Sequence, residues 1–297
     1  MIDTRAMRRK SNIAGWVMIT PALVSVCLFV VYPVLYSVGI SFTDWRFLNI
    51  NVRYAGLENY RWLFSGEALS FWRGIYLSLI FTAVSTLIQT ILGFFMAYIL
   101  YRMSKKLQSV YRVVMYLPVV LPMSMVMVMF RFFLEPEGLV DFIFRHWLRV
   151  SHTPNWLDTE WLTMAVVIGI NTWRFAGITI IIYFVAMNNV DRHVIESAQI
   201  DGCNQWNTLT QILLPLTWSS TKINLILSVI GGLKSYDFFL VLTNGQGDTQ
   251  VVGMYIYKTA FEYRTFCRAV VMSLFMTLVI GTITFFVNAA AQKGEKT

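Results

Sequence analysis

Long apolar stretches alternate with shorter polar ones along this chain, and the alternation predicts six membrane-crossing helices. A span needs about 20 predominantly apolar residues. Residues 13–40 and 74–101 exceed that without one Asp, Glu, Lys or Arg. Four further spans are predicted at about 110–132, 162–189, 217–242 and 268–291. Pro21 and Pro33 are expected to kink the first span, because proline removes a helix N–H donor. The third is rich in Met and holds Pro118, Pro122 and Ser124. A secretory signal peptide is the alternative for residues 13–40. Its apolar region would run only about 7–15 residues, so the reading is an uncleaved first span.

The segments between the spans set the orientation. Arg5, Arg8, Arg9 and Lys10 precede the first span, and Arg102, Lys105, Lys106 and Arg112 follow the second with no acid between them. Basic residues of this kind collect on the cytosolic side. Residues 41–73 are polar and aromatic, and residues 131–161 carry Glu135, Glu137, Asp141, Asp158 and Glu160, which suits the outer side. Lys293 and Lys296 end the chain inside. The expected fold is therefore an all-α membrane protein, one transmembrane domain over 1–297, with six helices and both termini cytosolic.

Composition agrees with this pattern. The chain is 57% hydrophobic and 13% charged, against about 25% charged for a soluble domain. The net charge of +8 reads as membrane-flanking basic residues rather than a nucleic-acid surface. Cys27, Cys203 and Cys267 form no CxxC pair. His146 and His152 lie among the outer acids without ligand spacing, so no metal site is expected.

Polar residues inside spans are the first candidates for chemistry, because ionisable groups at that depth are costly and usually face a bundle interior or a path. Gln89 sits mid-span and is expected to face other helices. Asn171, Arg174 and Ile178 share one face of the fourth span. Asn224, Ser228, Gly231 and Ser235 form a stripe along the fifth, which fits either a close helix contact or a cavity wall. Lys234 and Asp237, three apart, are placed to pair near its outer end.

The most informative polar stretch lies between the fourth and fifth spans, at 190–216. It reads Glu196-Ser197-Ala198-Gln199-Ile200-Asp201-Gly202, nine residues, then Ile212-Leu213-Leu214-Pro215. The spacing predicts a short helix capped by Asp191, a turn at Gly202, and a second short helix capped by Asn204. Trp206, Leu209 and Leu213 fall on one apolar face of the second helix.

This stretch resembles the EAA loop of ABC importer permeases. Glu196, Ala198, Gly202, Ile212, Leu214 and Pro215 match, and Ser197 departs from the middle Ala. Ser41-Phe42-Thr43-Asp44-Trp45, Gly56-Leu57-Glu58-Asn59-Tyr60 and the run from Tyr255 to Phe261 extend the resemblance over nearly the whole chain. They point to the carbohydrate-uptake branch, the maltose and glycerol-phosphate type, and to the first of its two sister permeases. Asn244-Gly245-Gln246-Gly247 departs from the family's Gly-Gly-Gly-Pro-like turn, and Val190-Asp191 from its Ile-Pro.

The resemblance implies a sister permease, two cytosolic ATPase subunits and an extracytoplasmic solute-binding protein as partners, in a bacterial-type inner membrane. No nucleic acid is implied. No phosphate-cradling Gly-rich motif occurs in the chain, so ATP and Mg are expected on the ATPase subunits, with no catalysis and no cofactor here. Glu196, Ser197, Ala198, Asp201, Gly202, Ile212, Leu214 and Pro215 are implied as the ATPase-coupling residues. Ser124, Asn171, Thr172, Arg174, Ser228, Gly231, Gly232 and Ser235 are implied along the substrate path. Arg174 suits an anionic cargo or an internal ion pair. Permeases for non-sugar solutes carry the same loop signature and stay as an alternative. A gradient-driven carrier is disfavoured, because no repeated halves with broken helices appear.

Overall fold

The computed structural model describes residues 4–46, 52–150 and 153–294, with side chains from residue 15 to residue 292. His152 and Lys296 lie outside the described residues. Among the described residues every regular element is helical, and one isolated bridge pairs Thr43 with Tyr54.

In chain order the helices are α1 (Thr4–Val26), α2 (Tyr32–Ser41), α3 (Glu58–Leu63), α4 (Leu69–Arg102), α5 (Lys105–Val120), α6 (Met123–Leu134) and α7 (Leu139–His146). Then come α8 (Glu160–Asn188), α9 (Arg192–Ile200), α10 (Gln205–Asn207), α11 (Leu214–Leu216), α12 (Trp218–Lys234), α13 (Asp237–Leu242), α14 (Val252–Phe261) and α15 (Phe266–Gly294). Two π-helical turns, Cys27–Val31 and Thr208–Leu213, end shortly before Pro33 and Pro215. A proline has no N–H to give to the carbonyl four residues back, and the ladder widens to i→i+5 bonds just upstream. Pro21 sits inside α1 without ending it.

Four stretches are long and apolar enough to cross a membrane: Gly15–Ser41, Gly66–Arg102, Glu160–Asn188 and Phe266–Gln292. The predicted third and fifth spans are not single straight helices. Lys105–Val120 and Met123–His146 meet at 89° inside the third span, whereas the 69° bend between Gln205–Leu216 and Trp218–Lys234 falls where the loop was expected to meet the fifth. Counting each bent pair as one span gives six. The first bend follows from Pro122, which leaves Leu121 extended (ψ 139°). The fifth span also stops early, at Lys234, where Ser235 turns extended (ψ 116°) before α13 begins. Lys234 and Asp237 therefore do not share a helix face, and no ion pair joins them among the described residues. The Asp237 carboxylate instead accepts from the Phe238 N–H.

The chain divides into two compact units. In the first, Met1–Ala68 with Tyr257–Phe275, the two short motifs of the segment between α2 and α3 brace each other. Asn59 Nδ2 donates to the carbonyls of Ser41 (3.0 Å) and Thr43 (2.8 Å), and the Ser41 and Tyr60 hydroxyls meet at 2.7 Å. Trp45 stacks at a tilt on Phe266, and Arg268 lies over the Trp62 ring at 4.5 Å. Residues 16–36 are exposed throughout, which is how apolar residues sit when lipid or another chain is their solvent.

The second unit, Leu69–Ile256 with Met276–Thr297, is built on α4, α8 and α12. One core cluster centres on Phe81, Phe238, Phe239 and Met127; another, nearer the 190–216 loop, joins Phe94, Tyr183, Met187, Leu209 and Leu213. Helices in lipid gain no hydrophobic drive toward each other, so close backbone approach and hydrogen bonds hold them. Gly177 shows the first of these: a Cβ there would run into the Met115 carbonyl of α5.

Candidate functional site

A cavity of about 400 Å³ opens within the second unit between α4, α8 and α12. The volume falls within the usual range for small-molecule sites. Five of the residues expected along a substrate path line it: Asn171 from α8, and Ser228, Gly231, Gly232 and Ser235 from α12 and its end. The α12 stripe is thus a cavity wall at these positions. Three expected residues lie elsewhere. Ser124 is exposed in the first turn of α6, although its neighbour Met123 reaches the cavity. Thr172 faces a separate apolar pocket with Ile168, Ala176 and Ile180.

Arg174 is the third. It is buried, and its guanidinium turns away from the cavity to α5, where Nη1 donates to the Pro118 carbonyl (3.1 Å) and Nη2 to the Val119 carbonyl (3.4 Å). These are last-turn carbonyls whose ordinary donors would be the N–H groups of residues 122 and 123. Pro122 has no N–H, and the helix ends there. Arg174 thus replaces donors the bend has removed, and its charge suits the negative end of α5.

The third wall of the cavity lies outside the residues expected along a substrate path. Ser85, Thr86 and Gln89 of α4 line it. The signal was present as a polar and small stripe running Ser78, Thr82, Ser85, Gln89, Gly93 at helical spacing. At the end nearest the 190–216 loop the polar groups close on each other. Thr179 Oγ1 donates to Asn224 Oδ1 (2.9 Å), Asn224 Nδ2 donates to Thr90 Oγ1 (3.0 Å), and Tyr183 donates to Thr221 (3.0 Å). At the opposite end, Arg73 bridges Glu160 (2.5 Å) and Asp248 (2.6 Å). The departing turn at Asn244–Gly247 is folded around Thr243, whose hydroxyl meets Phe239 O, Gly245 N and the Thr249 hydroxyl.

Between α8 and α12 the loop folds as expected from its caps. Asp191 accepts from the His193 N–H (3.0 Å) and Asn204 from the Asn207 N–H (2.8 Å). Gly202 turns with φ +86° and has open space around it. The element is pinned from below by buried Ala198, Leu209 and Leu213, while Trp206 stays exposed and stacks on Phe95 at 6.1 Å. Ile212 and Leu214 are half-buried and Pro215 is exposed. What remains outward is one face: Glu196, Ser197, Ile200, Asp201 and Gly202 are all exposed, Ile200 at 86%. Glu196 lies 3.7 Å from His193. Among the described residues no group of three His, Cys, Asp or Glu stands close enough to hold a metal ion.

A family model described as "binding-protein-dependent transport system inner membrane component" matches residues 89–296, well over half the chain. The chain belongs to this family. The family is one of inner-membrane transport permeases, not of enzymes. Among similar permeases, the lactose transport system permease protein LacF of Rhizobium radiobacter is 25% identical over 294 residues, covering 97% of each chain. The probable starch degradation products transport system permease protein AmyD of Thermoanaerobacterium thermosulfurigenes is 25% identical over 290 residues and 96% of each. A chain in the crystal structure of a bacterial alginate ABC transporter, solved in complex with an alginate pentasaccharide-bound periplasmic protein, superposes with a TM-score of 0.85. It covers 97% of each chain at 22% identity, so it shows the permease fold.

Proposed function

We propose that this chain is a membrane-spanning permease subunit of an ATP-driven importer, forming with a sister permease the path for a sugar or sugar derivative. One observation carries the reading. The helices that wall the cavity, α8 and α12, are joined directly by the loop whose outward face is Glu196 to Gly202. A push on that face reaches the cavity walls through two continuous covalent connections. The transport names of relatives such as LacF and AmyD support the sugar.

In this reading six spans place both termini and the 190–216 loop in the cytosol. The loop docks on one of two ATPase subunits, which hold ATP and Mg. Glu196 accepts a charge-assisted bond from a basic group there. Exposed Ile200 fills an apolar notch, and Gly202 lets the turn approach the partner backbone. A binding protein delivers cargo at the opposite end, and each state of the pair is favoured by different contacts. The mechanism asks of this chain only that it bind, enclose and release.

The test is ATP-dependent uptake into vesicles holding the chain with its co-purified partners, wild type against Glu196→Lys with Gly202→Asp. Uptake is expected to vanish while the sister permease still co-purifies. Uptake that survives the double variant, or that proceeds without ATP, overturns the proposal.

A further inference from the structure

Three hydroxyls in the cavity wall have no hydrogen-bond partner. Ser85 Oγ and Thr86 Oγ1 of α4 and Ser235 Oγ beyond α12 are all out of contact with solvent and all unpaired. Ser85 and Thr86 are more than nine-tenths buried. Several helical hydroxyls elsewhere satisfy themselves by donating to the carbonyl four residues back, as Thr20, Ser25, Ser37 and Ser273 do, although Thr82, Thr163, Thr172 and Thr284 are also left open. Ser85 and Thr86 have the same option and do not take it. A buried hydroxyl left open costs free energy, and the neighbouring Thr179, Asn224 and Thr90 show that this bundle closes polar groups on each other where it can.

Charge narrows what these groups await. The charged side chains on the cavity wall are Lys234 and Asp237, one of each sign. Arg174, the cation that an anionic cargo would seek, has its Nη groups engaged by the Pro118 and Val119 carbonyls. A wall of hydroxyls and amides with balanced charge suits a ligand that both donates and accepts without carrying charge.

We infer that the cavity takes an uncharged, polyhydroxylated solute, and that Ser85 and Thr86, with Gln89 one turn along α4, are specificity-determining contacts to its hydroxyls. The inference rests on the import reading above and names its cargo class. A carboxylate or phosphate in this cavity would lose its hydration and meet Lys234 only with the Asp237 carboxylate on the same wall, which is expensive. A sugar hydroxyl would exchange water for Ser85, Thr86 or Ser235 once that side chain rotates to turn its hydroxyl into the cavity.

The experiment uses the transporter purified with its partners and reconstituted into proteoliposomes. Radiolabelled lactose, maltose and sucrose are compared with lactobionate and glucose 6-phosphate, for wild type, Ser85→Ala and Thr86→Val. At least one neutral sugar is expected to accumulate with ATP, and the two anions not. Each variant should lower uptake of that sugar below saturation about fivefold, the worth of one net hydrogen bond, with unchanged thermal unfolding. ATP-driven uptake that prefers the anions overturns the cargo class. ATP-driven uptake of a neutral sugar that both variants leave unchanged overturns the role of α4. No ATP-dependent uptake of any solute would instead overturn the import reading itself, so the two failures are told apart.

Discussion

The two ends of the α4–α8–α12 bundle treat buried polar groups in opposite ways. Toward the 190–216 loop, Thr179, Asn224 and Thr90 form a closed chain and Tyr183 closes on Thr221. Within the cavity, Ser85, Thr86 and Ser235 stay open. Threonine hydroxyls occur at both ends, and α4 contributes to both. Inside a bilayer no water is at hand to settle the difference, so a closed polar group ties helices together and an open one is available to a solute. The contrast separates residues that hold the bundle from residues that serve the cargo.

The sharpest way to break this contrast is at Arg174. If it is a tie, Arg174→Met leaves the Pro118 and Val119 carbonyls bare and lowers stability by roughly 2–3 kcal/mol. Thermal unfolding in detergent, followed by tryptophan fluorescence, reads this directly. A variant of wild-type stability with altered cargo choice would return Arg174 to the solute path.

A smaller loss is expected at Asn224. Asn224→Leu removes two interhelical bonds at once, and interhelical bonds in membranes run below those of soluble proteins. The expected cost is about 1–2 kcal/mol. Asn224→Leu unfolding at the wild-type temperature would mean the closed chain contributes nothing.

The smallest effect belongs to the open end. Ser85→Ala should stay within about 0.5 kcal/mol of wild type, or gain stability, because it removes a donor that binds nothing in the protein. A loss as large as that of Asn224→Leu would show that Ser85 is a tie after all, and the two ends of the bundle would no longer differ.

The 190–216 loop was legible because its signals are local. Asp191 and Asn204 cap within three residues, and Gly202 needs only its own φ. Four of the spans were legible for the same reason, as long apolar runs broken at most by Arg174. Apolar continuity says nothing about direction, however. The 89° bend after Val120 therefore escaped a pattern that stays largely hydrophobic through it, and the stop at Lys234 lies in a four-residue polar break, Lys234 to Asp237, short enough to be read through as one span. The cavity was half legible. The α12 stripe stood out against its apolar flanks, but Ser85 and Thr86 look like any helical hydroxyls until two other helices are packed beside them. Arg174 was conspicuous and its target was not, since a carbonyl left bare by a distant proline has no signature of its own in the residues around Arg174. The Lys234–Asp237 pair failed because its premise, one continuous helix, failed.

The link between Arg174 and the proline-broken end of α5 has an evolutionary side. A descendant that replaces Pro122 with a residue carrying an N–H lets the helix run on, and the carbonyl of Pro118 regains a donor of its own. Arg174 is then free to drift. In the reverse order the lineage must first pass through a chain with two uncovered carbonyls in lipid. The two positions are therefore a ratchet: the proline can be surrendered first, and the arginine only afterwards.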